Sequence, residues 1–245
     1  MKNLLDKVKQ DIDKFLSTDR LFFINENDFQ SCLALYLSKC PNDYKVYSEY
    51  LIPIENGSIQ DYPWHEKTIS IDLVVEKDDE FVPIELKYKT RSIDEPTLIY
   101  RFGNSLKVKQ LIKDQSAQDI GRYAFWKDVK RLELLKERFE NVVGGIAAFV
   151  TNDESYTTAP KSNKAPLVGY YDFRMYSPTG EDKQITGKLC WRENGEQVPW
   201  DGELCNFELK GTYTLPDWQH YKTNPKKGFG ENKMHYMIVT VKDLK

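Results

Sequence analysis

Residues 69–89 read ISIDLVVEKDDEFVPIELKYK. Two apolar, β-branched runs of strand length flank the acidic turn Lys77-Asp78-Asp79-Glu80, the pattern of a β-hairpin. A turn centred on Asp78 and Asp79 sets the register. Lys77 then faces Glu80, Val75 faces Val82, Leu73 faces Ile84, and Asp72 faces Glu85. Residues two apart on a strand share a face, so Lys87 points the same way as Glu85, while Ile84 and Leu86 enter a core. Directly opposed like charges repel. Two carboxylates share such a site when one keeps a proton or a cation sits between them. Oxygen ligands favour Mg²⁺, which accepts one or two protein carboxylates and keeps several waters. The plain alternative is a solvated hairpin face on which Lys87 offsets Glu85.

Asp72, twelve intervening residues and then Glu85-Leu86-Lys87 resemble the PD-(D/E)xK nuclease superfamily, which includes type II restriction enzymes and Holliday-junction resolvases. Ser70-Ile71 stands where that family often has a proline before the Asp. The resemblance covers roughly Glu26 to Val150. It implies an α/β fold: a mixed central β-sheet flanked by helices, with a restriction-endonuclease-like αβββαβ core. It implies Mg²⁺-dependent hydrolysis of phosphodiester bonds, with Mn²⁺ able to substitute. Asp72 and Glu85 would bind the metal, with the Leu86 carbonyl as a further ligand, and Lys87 would orient or activate the attacking water. Glu26 matches an acid that the family often carries on its first core helix; as a plain helix residue it would favour the helix N-terminus. Gln118, Arg122 and Tyr123 approximate a Gln and a Tyr or basic residue on the helix after the E-x-K strand. A role in holding phosphate follows for Gln118 and Arg122.

The chain has 245 residues, 30% of them charged, and a mean hydropathy of −0.62. That suits a substantial core in one large domain, or in one domain with an appendage. No apolar run approaches a membrane span. The N-terminus alternates charged and apolar residues, unlike a signal peptide. Cys32, Cys40, Cys190 and Cys205 lack C-x-x-C spacing, so the expectation is a cytoplasmic protein with reduced thiols. The net charge of −3 is unevenly spread. Pro41 to Glu85 holds eleven Asp and Glu against three Lys, and Leu86 to Glu140 holds thirteen Lys and Arg against eight acids. An acidic hairpin followed by a basic segment suits a phosphate backbone, though helix-surface charge reads the same way.

Along the chain, residues 1–20 form an N-terminal amphipathic helix with Leu4, Leu5, Val8, Ile12, Phe15 and Leu16 on one stripe. The nuclease-like core is expected over 21–150. Asn25 caps a helix running to about Lys39, with Phe29, Leu33, Tyr36 and Leu37 buried and Glu26 along the same stripe. Tyr44 to Pro53 is the first core strand, and its Glu49 is a second choice for the extra carboxylate. LIYRF and LKVKQLI flank Gly103-Asn104-Ser105 as another hairpin, whose Arg101, Lys107, Lys109 and Lys113 could follow a nucleic-acid backbone. Lys89, just past the E-x-K, is a further expected contact. A long helix starts near Ser116, with Asp119 completing a capping box and Ala117, Ile120, Ala124 and Val129 or Leu132 as its packing stripe. Asp128 and Arg131 read as a structural ion pair. Residues 141–150 form a buried strand. Residues 151–245 form a β-rich extension, separate or part of the same domain. Strands are expected at Leu167–Met175, Lys183–Trp191, Glu203–Tyr213 and Met234–Val241, with a short helix at Trp218–Tyr221.

Phe207-Glu208-Leu209-Lys210 is a second E-x-K with no acid placed across a hairpin, and it reads as a half-exposed strand. No His/Cys cluster has zinc-ligand spacing, and neither G-x-S-x-G nor a P-loop occurs. The expected function is therefore a Mg²⁺-dependent nuclease in restriction, repair or defence. Its partner is nucleic acid, with DNA favoured, and a homodimer is compatible with the sequence. The rival is a non-catalytic subunit of nuclease fold that binds nucleic acid or serves assembly.

Overall fold

The computed structural model describes residues 3–18, 23–54, 59, 62–93, 97–108, 112–115, 117–160, 168–177, 183–222, 233–242 and 244. It is an α/β structure built on a six-stranded mixed sheet. The strands are β1 (Lys45–Pro53), β2 (Thr68–Lys77), β3 (Glu80–Lys89), β6 (Gly145–Thr151), β12 (Lys233–Val241) and β11 (Gln219–Lys222), in that spatial order. β3 and β6 run parallel, and every other neighbour in the sheet is antiparallel. The β2–β3 turn has the expected register: Lys77 pairs with Glu80, Val75 with Val82 and Leu73 with Ile84. Asp78 and Asp79 both adopt left-handed φ, +52° and +63°, as a two-residue hairpin turn of this hand requires.

Helices α1 (Leu4–Ser17) and α2 (Glu26–Ser38) cover one face of the sheet. The six apolar residues of the α1 stripe are all buried. α1 thus belongs to the core rather than standing apart. Asn25 caps α2 by accepting the Asp28 N–H at 2.8 Å.

Helix α3 (Gln118–Arg138) covers the opposite face. On its outer side lie the antiparallel pair β7 (Gln184–Leu189) and β10 (Phe207–Thr214), and the hairpin β8 (Trp191–Glu193) and β9 (Glu196–Val198). α3 is sandwiched between two layers, so it buries Tyr123, Phe125, Trp126, Val129 and Leu132 around most of its girth. Each fully buried apolar side chain of this size contributes about 1.5–3 kcal/mol. A Cβ on Gly145 would sit 2.9 Å from Leu132 Cβ, so glycine there lets α3 lie close on β6.

Several expectations are corrected. α3 begins at Gln118 with Ala117 as its cap, in left-handed conformation and without a side-chain cap bond; Ser116 lies outside the described residues. Ile120 is exposed, because the helix is rotated to bury aromatic residues rather than the small ones. The hairpin β4 (Thr97–Arg101) and β5 (Asn104–Val108) turns at Phe102-Gly103, one residue earlier than read. Tyr171–Phe173 is a 3₁₀ turn where a strand was expected, and Gln219–Lys222 is strand β11 where a helix was expected. Of the two readings of residues 151–245, the extension as part of the same sheet fits the strand order, since β12 and β11 continue the central sheet beyond β6.

Candidate metal and phosphate site

The site lies where β2 and β3 part. Their ladder ends at Leu73–Ile84. Beyond it, Leu86 N–H and Tyr88 N–H lack strand partners, and an unpaired buried N–H is costly. Two acids take them. Asp72 Oδ2 accepts Leu86 N–H at 2.6 Å, and Glu26 Oε2, from the first turn of α2, accepts Tyr88 N–H at 2.7 Å. Asp72 and Glu85 are therefore not ladder partners as the register implied; the Asp72 carboxylate occupies the ladder position itself. Gln30 Nε2 fixes the local backbone by donating to Asp72 O at 2.6 Å and to Glu49 Oε1 at 2.9 Å. Ser70 Oγ holds the other Glu49 oxygen at 2.8 Å. Glu49, at φ +50°, is thus committed to Gln30 and Ser70, and Glu26 is the extra acid whose charge reaches Asp72 and Lys87.

Glu85 and Lys87 project from β3 toward α3. Glu85 is 3% exposed, and its Oε1 makes no hydrogen bond. Lys87 Nζ lies 2.5 Å from Asp128 Oδ2, an ion pair whose angles do not make it a directed hydrogen bond, and 3.3 Å from the Leu86 carbonyl oxygen. Arg131 Nη1 sits 3.4 Å from Asp128 Oδ1 and 3.8 Å from Glu85 Oε1. Its Nη2 binds Glu66 Oε2 at 2.6 Å, and Glu66 also takes Lys127 Nζ at 2.6 Å and the Tyr62 hydroxyl.

The electrostatics follow from this crowding. Burial pushes the Asp72 carboxyl up to about 6 against the Lys87 charge and the Leu86 N–H; Asp128 and Glu26 add to the rise. Burial first, then the Asp128 and Asp72 charges, hold Glu85 well above the ordinary carboxylate range. Burial pulls Lys87 down, but Asp128, Glu85, Glu26 and Asp72 outweigh it, so its ammonium is held above the usual lysine value. Burial likewise opposes the low pKa of Glu66, which bonds from Lys127, Tyr62 and Arg131 nevertheless bring to about 2. Four carboxyl groups, those of Glu26, Asp72, Glu85 and Asp128, thus meet two cations, Lys87 and Arg131. The orphaned Glu85 oxygen, the second Asp72 oxygen and the Leu86 carbonyl are hard donors, which suits Mg²⁺ or Mn²⁺. Among the described residues, no three His, Cys, Asp or Glu side chains form a ready-made metal cage.

The other expected residues lie elsewhere. Arg122 is buried, donates from Nη2 to Ser155 O at 2.5 Å, and stacks on the Tyr156 and Tyr170 rings. That placement does not fit a phosphate-holding role. Gln118 is half-buried and donates to Asp153 Oδ2 at 3.1 Å. They precede Asp128 by about 9 and 15 Å along the helix, at 1.5 Å per residue. Lys89 ends β3, half-buried, beside Thr151 of β6. Lys109 lies outside the described residues. Glu208 is exposed on β10, which pairs with β7 outside the central sheet. Sequence reading took Asp128 and Arg131 for a pair of their own and missed Glu66. Their signal was a run of charges at i, i+3 and i+4 on a helix that also had to bury aromatics.

No protein-family model matches the chain. No curated protein matches it, and neither does any solved structure. No helix among the described residues is long and apolar enough to cross a membrane.

Proposed function

We propose that this chain is a Mg²⁺-dependent nuclease acting on phosphodiester bonds, with DNA the favoured substrate. The observation that supports it best is the convergence of Asp72, Glu85 and Lys87 with Glu26 where β2 and β3 separate, three carboxyl groups around one ammonium. Asp72, Glu85 and the Leu86 carbonyl would hold the cation, which when bound supplies a water of lowered pKa and stabilises the leaving oxygen. Lys87 enters as a charged ammonium. It is built to donate hydrogen bonds to the attacking water or a phosphate oxygen rather than to take a proton. Asp128 fixes the ammonium, and Arg131 links Glu85 to Glu66. Burial of the pair keeps bulk water from screening these charges. A role in restriction, repair or defence, action in the cytoplasm and a homodimeric state belong to the same proposal.

One observation favours a second reading. Lys87 already neutralises Asp128, and one Asp72 oxygen is already used by Leu86. A charge cluster compensated in this way would suit a nuclease-like subunit that binds nucleic acid without cutting it. The test is a cleavage screen over single- and double-stranded DNA and RNA with Mg²⁺, Mn²⁺ or EDTA. Cutting that requires metal and is lost in Glu85→Gln supports the nuclease. Binding without cutting under every condition supports the second reading.

A further inference from the structure

Among the described residues the β4–β5 hairpin pairs only with itself, and Phe102 sits at its tip fully exposed. Phe102 and Gly103 form the two-residue turn, with φ +52° and +78°. Turns of this hand favour Asn, Asp or Gly, and a bulky aromatic is a poor choice at a left-handed position. Packing does not explain the residue either, since its ring meets solvent. Residues 97–113 carry Arg101, Lys107, Lys109 and Lys113 and no acid, in a chain of net charge −3. The described flank is exposed too, including Leu106 and Lys107.

An apolar ring on a basic two-stranded ribbon matches one class of partner in both chemistries. Nucleic acid offers stacked apolar bases inside and phosphates outside. A protein partner would need a matching acidic rim around an apolar pocket. The hairpin also follows β3 closely: Thr97 is ten residues beyond Lys87, a reach of at most about 35 Å. It can therefore touch a strand held at the Asp72–Glu85 site. We infer that the β4–β5 hairpin is a nucleic-acid wedge, in which Phe102 inserts at a base step while the basic residues of the ribbon hold the flanking phosphates. The location of the wedge rests on the nuclease reading, but its action is read by binding alone.

The test uses the full chain in EDTA, titrated into duplex and single-stranded oligonucleotides carrying 2-aminopurine, with anisotropy recording affinity. Wild type should raise the 2-aminopurine fluorescence several-fold on binding. Phe102→Asn suits the turn better than Phe and keeps the hairpin, yet it should bind about tenfold more weakly and lose the fluorescence rise. Phe102→Trp should retain both. If Phe102→Asn matches wild type in affinity and fluorescence while wild type still cuts with Mg²⁺, the wedge is wrong and the nuclease reading stands. A wild type that binds none of these oligonucleotides overturns both. A wild-type dimer that becomes a monomer in Phe102→Asn would assign the tip to a second copy of the chain and overturn the wedge.

Discussion

The Lys87 ammonium lies 2.5 Å from Asp128 Oδ2, with Asp128 contributed by the helix that covers the strand carrying Lys87. In the proposed nuclease, Asp128 would act through Lys87. Asp128→Asn should lower the cleavage rate about 10–100-fold, the scale of a catalytic group displaced by an ångström, with KM within a few-fold of wild type. Lys87→Met combined with Asp128→Asn should be no slower than Lys87→Met alone, because both changes remove one function. Steady-state kinetics on the four proteins decide this. Multiplicative losses would show that Asp128 works independently of Lys87.

Asp72 titrates near 6 in the folded protein, above its unfolded value. The native state thus holds a proton that the unfolded chain releases, and stability from this group falls as pH rises from about 4 through 6. Asp72→Asn keeps an oxygen for Leu86 N–H and removes the charge. In EDTA at pH 8 it should stabilise the fold by about 1–3 kcal/mol, given about 1.4 kcal/mol per pKa unit. The gain should vanish near pH 4. Thermal melts across that range test the sign. A mutant that is destabilised at pH 8 and indifferent to pH would rule out the strained carboxyl.

Glu208→Gln should leave cleavage within a few-fold of wild type, because Glu208 is exposed on β10. Glu85→Gln should remove nearly all of it. Parallel rate measurements suffice, and equal losses would mean that the wrong E-x-K carries the chemistry.

Glu133 illustrates a buried acid with no part in this chemistry. Wholly buried, it accepts Lys210 N–H at 3.1 Å, Gly211 N–H at 2.7 Å and the Tyr213 hydroxyl at 2.8 Å, at the irregularity in β10, and the Lys130 ammonium at 3.2 Å. Glu133→Gln leaves one acceptor where four donors converge, one of them a buried ammonium, and should cost about 2–3 kcal/mol in urea unfolding. Its response to Mg²⁺ should match that of wild type. An unchanged unfolding midpoint would contradict the bonding described.

Much of the site was legible because the turn fixes it. With Asp78 and Asp79 at the bend, period two places every residue of β2 and β3 as far as Leu73 and Ile84. Past that point alternation fails. Val74 joins Ile69 and Ile71 in one cluster although the odd step from Ile71 would put it on the opposite face, and the strand turns at Asp72. Pairing rules do not foresee a carboxylate replacing a ladder partner. The placement of Glu26 was legible because Asn25 fixes where α2 begins, and so which face the acid takes. Asp128, Arg131 and Glu66 were not legible as site residues. α3 is buried by two layers, so its stripe shows no single apolar face, and the sequence around Glu66 has no periodic pattern to place it. β11 and β12 join the central sheet from the far end of the chain, a long-range pairing that local patterns do not encode.

In the proposed nuclease, Asp72 and Glu85 are kept for a divalent cation. Calorimetric titration of Mg²⁺ into the wild type, in two buffers of different ionisation enthalpy, reads that site without any cleavage assay. Both carboxyls sit above their ordinary values, so metal must displace protons. The titration should show one saturable site, proton release at pH 6 to 7, affinity that strengthens as pH rises, and no site in Glu85→Gln. A wild type with no saturable heat at millimolar Mg²⁺, or a Glu85→Gln protein that binds as tightly as wild type, would contradict the cation site.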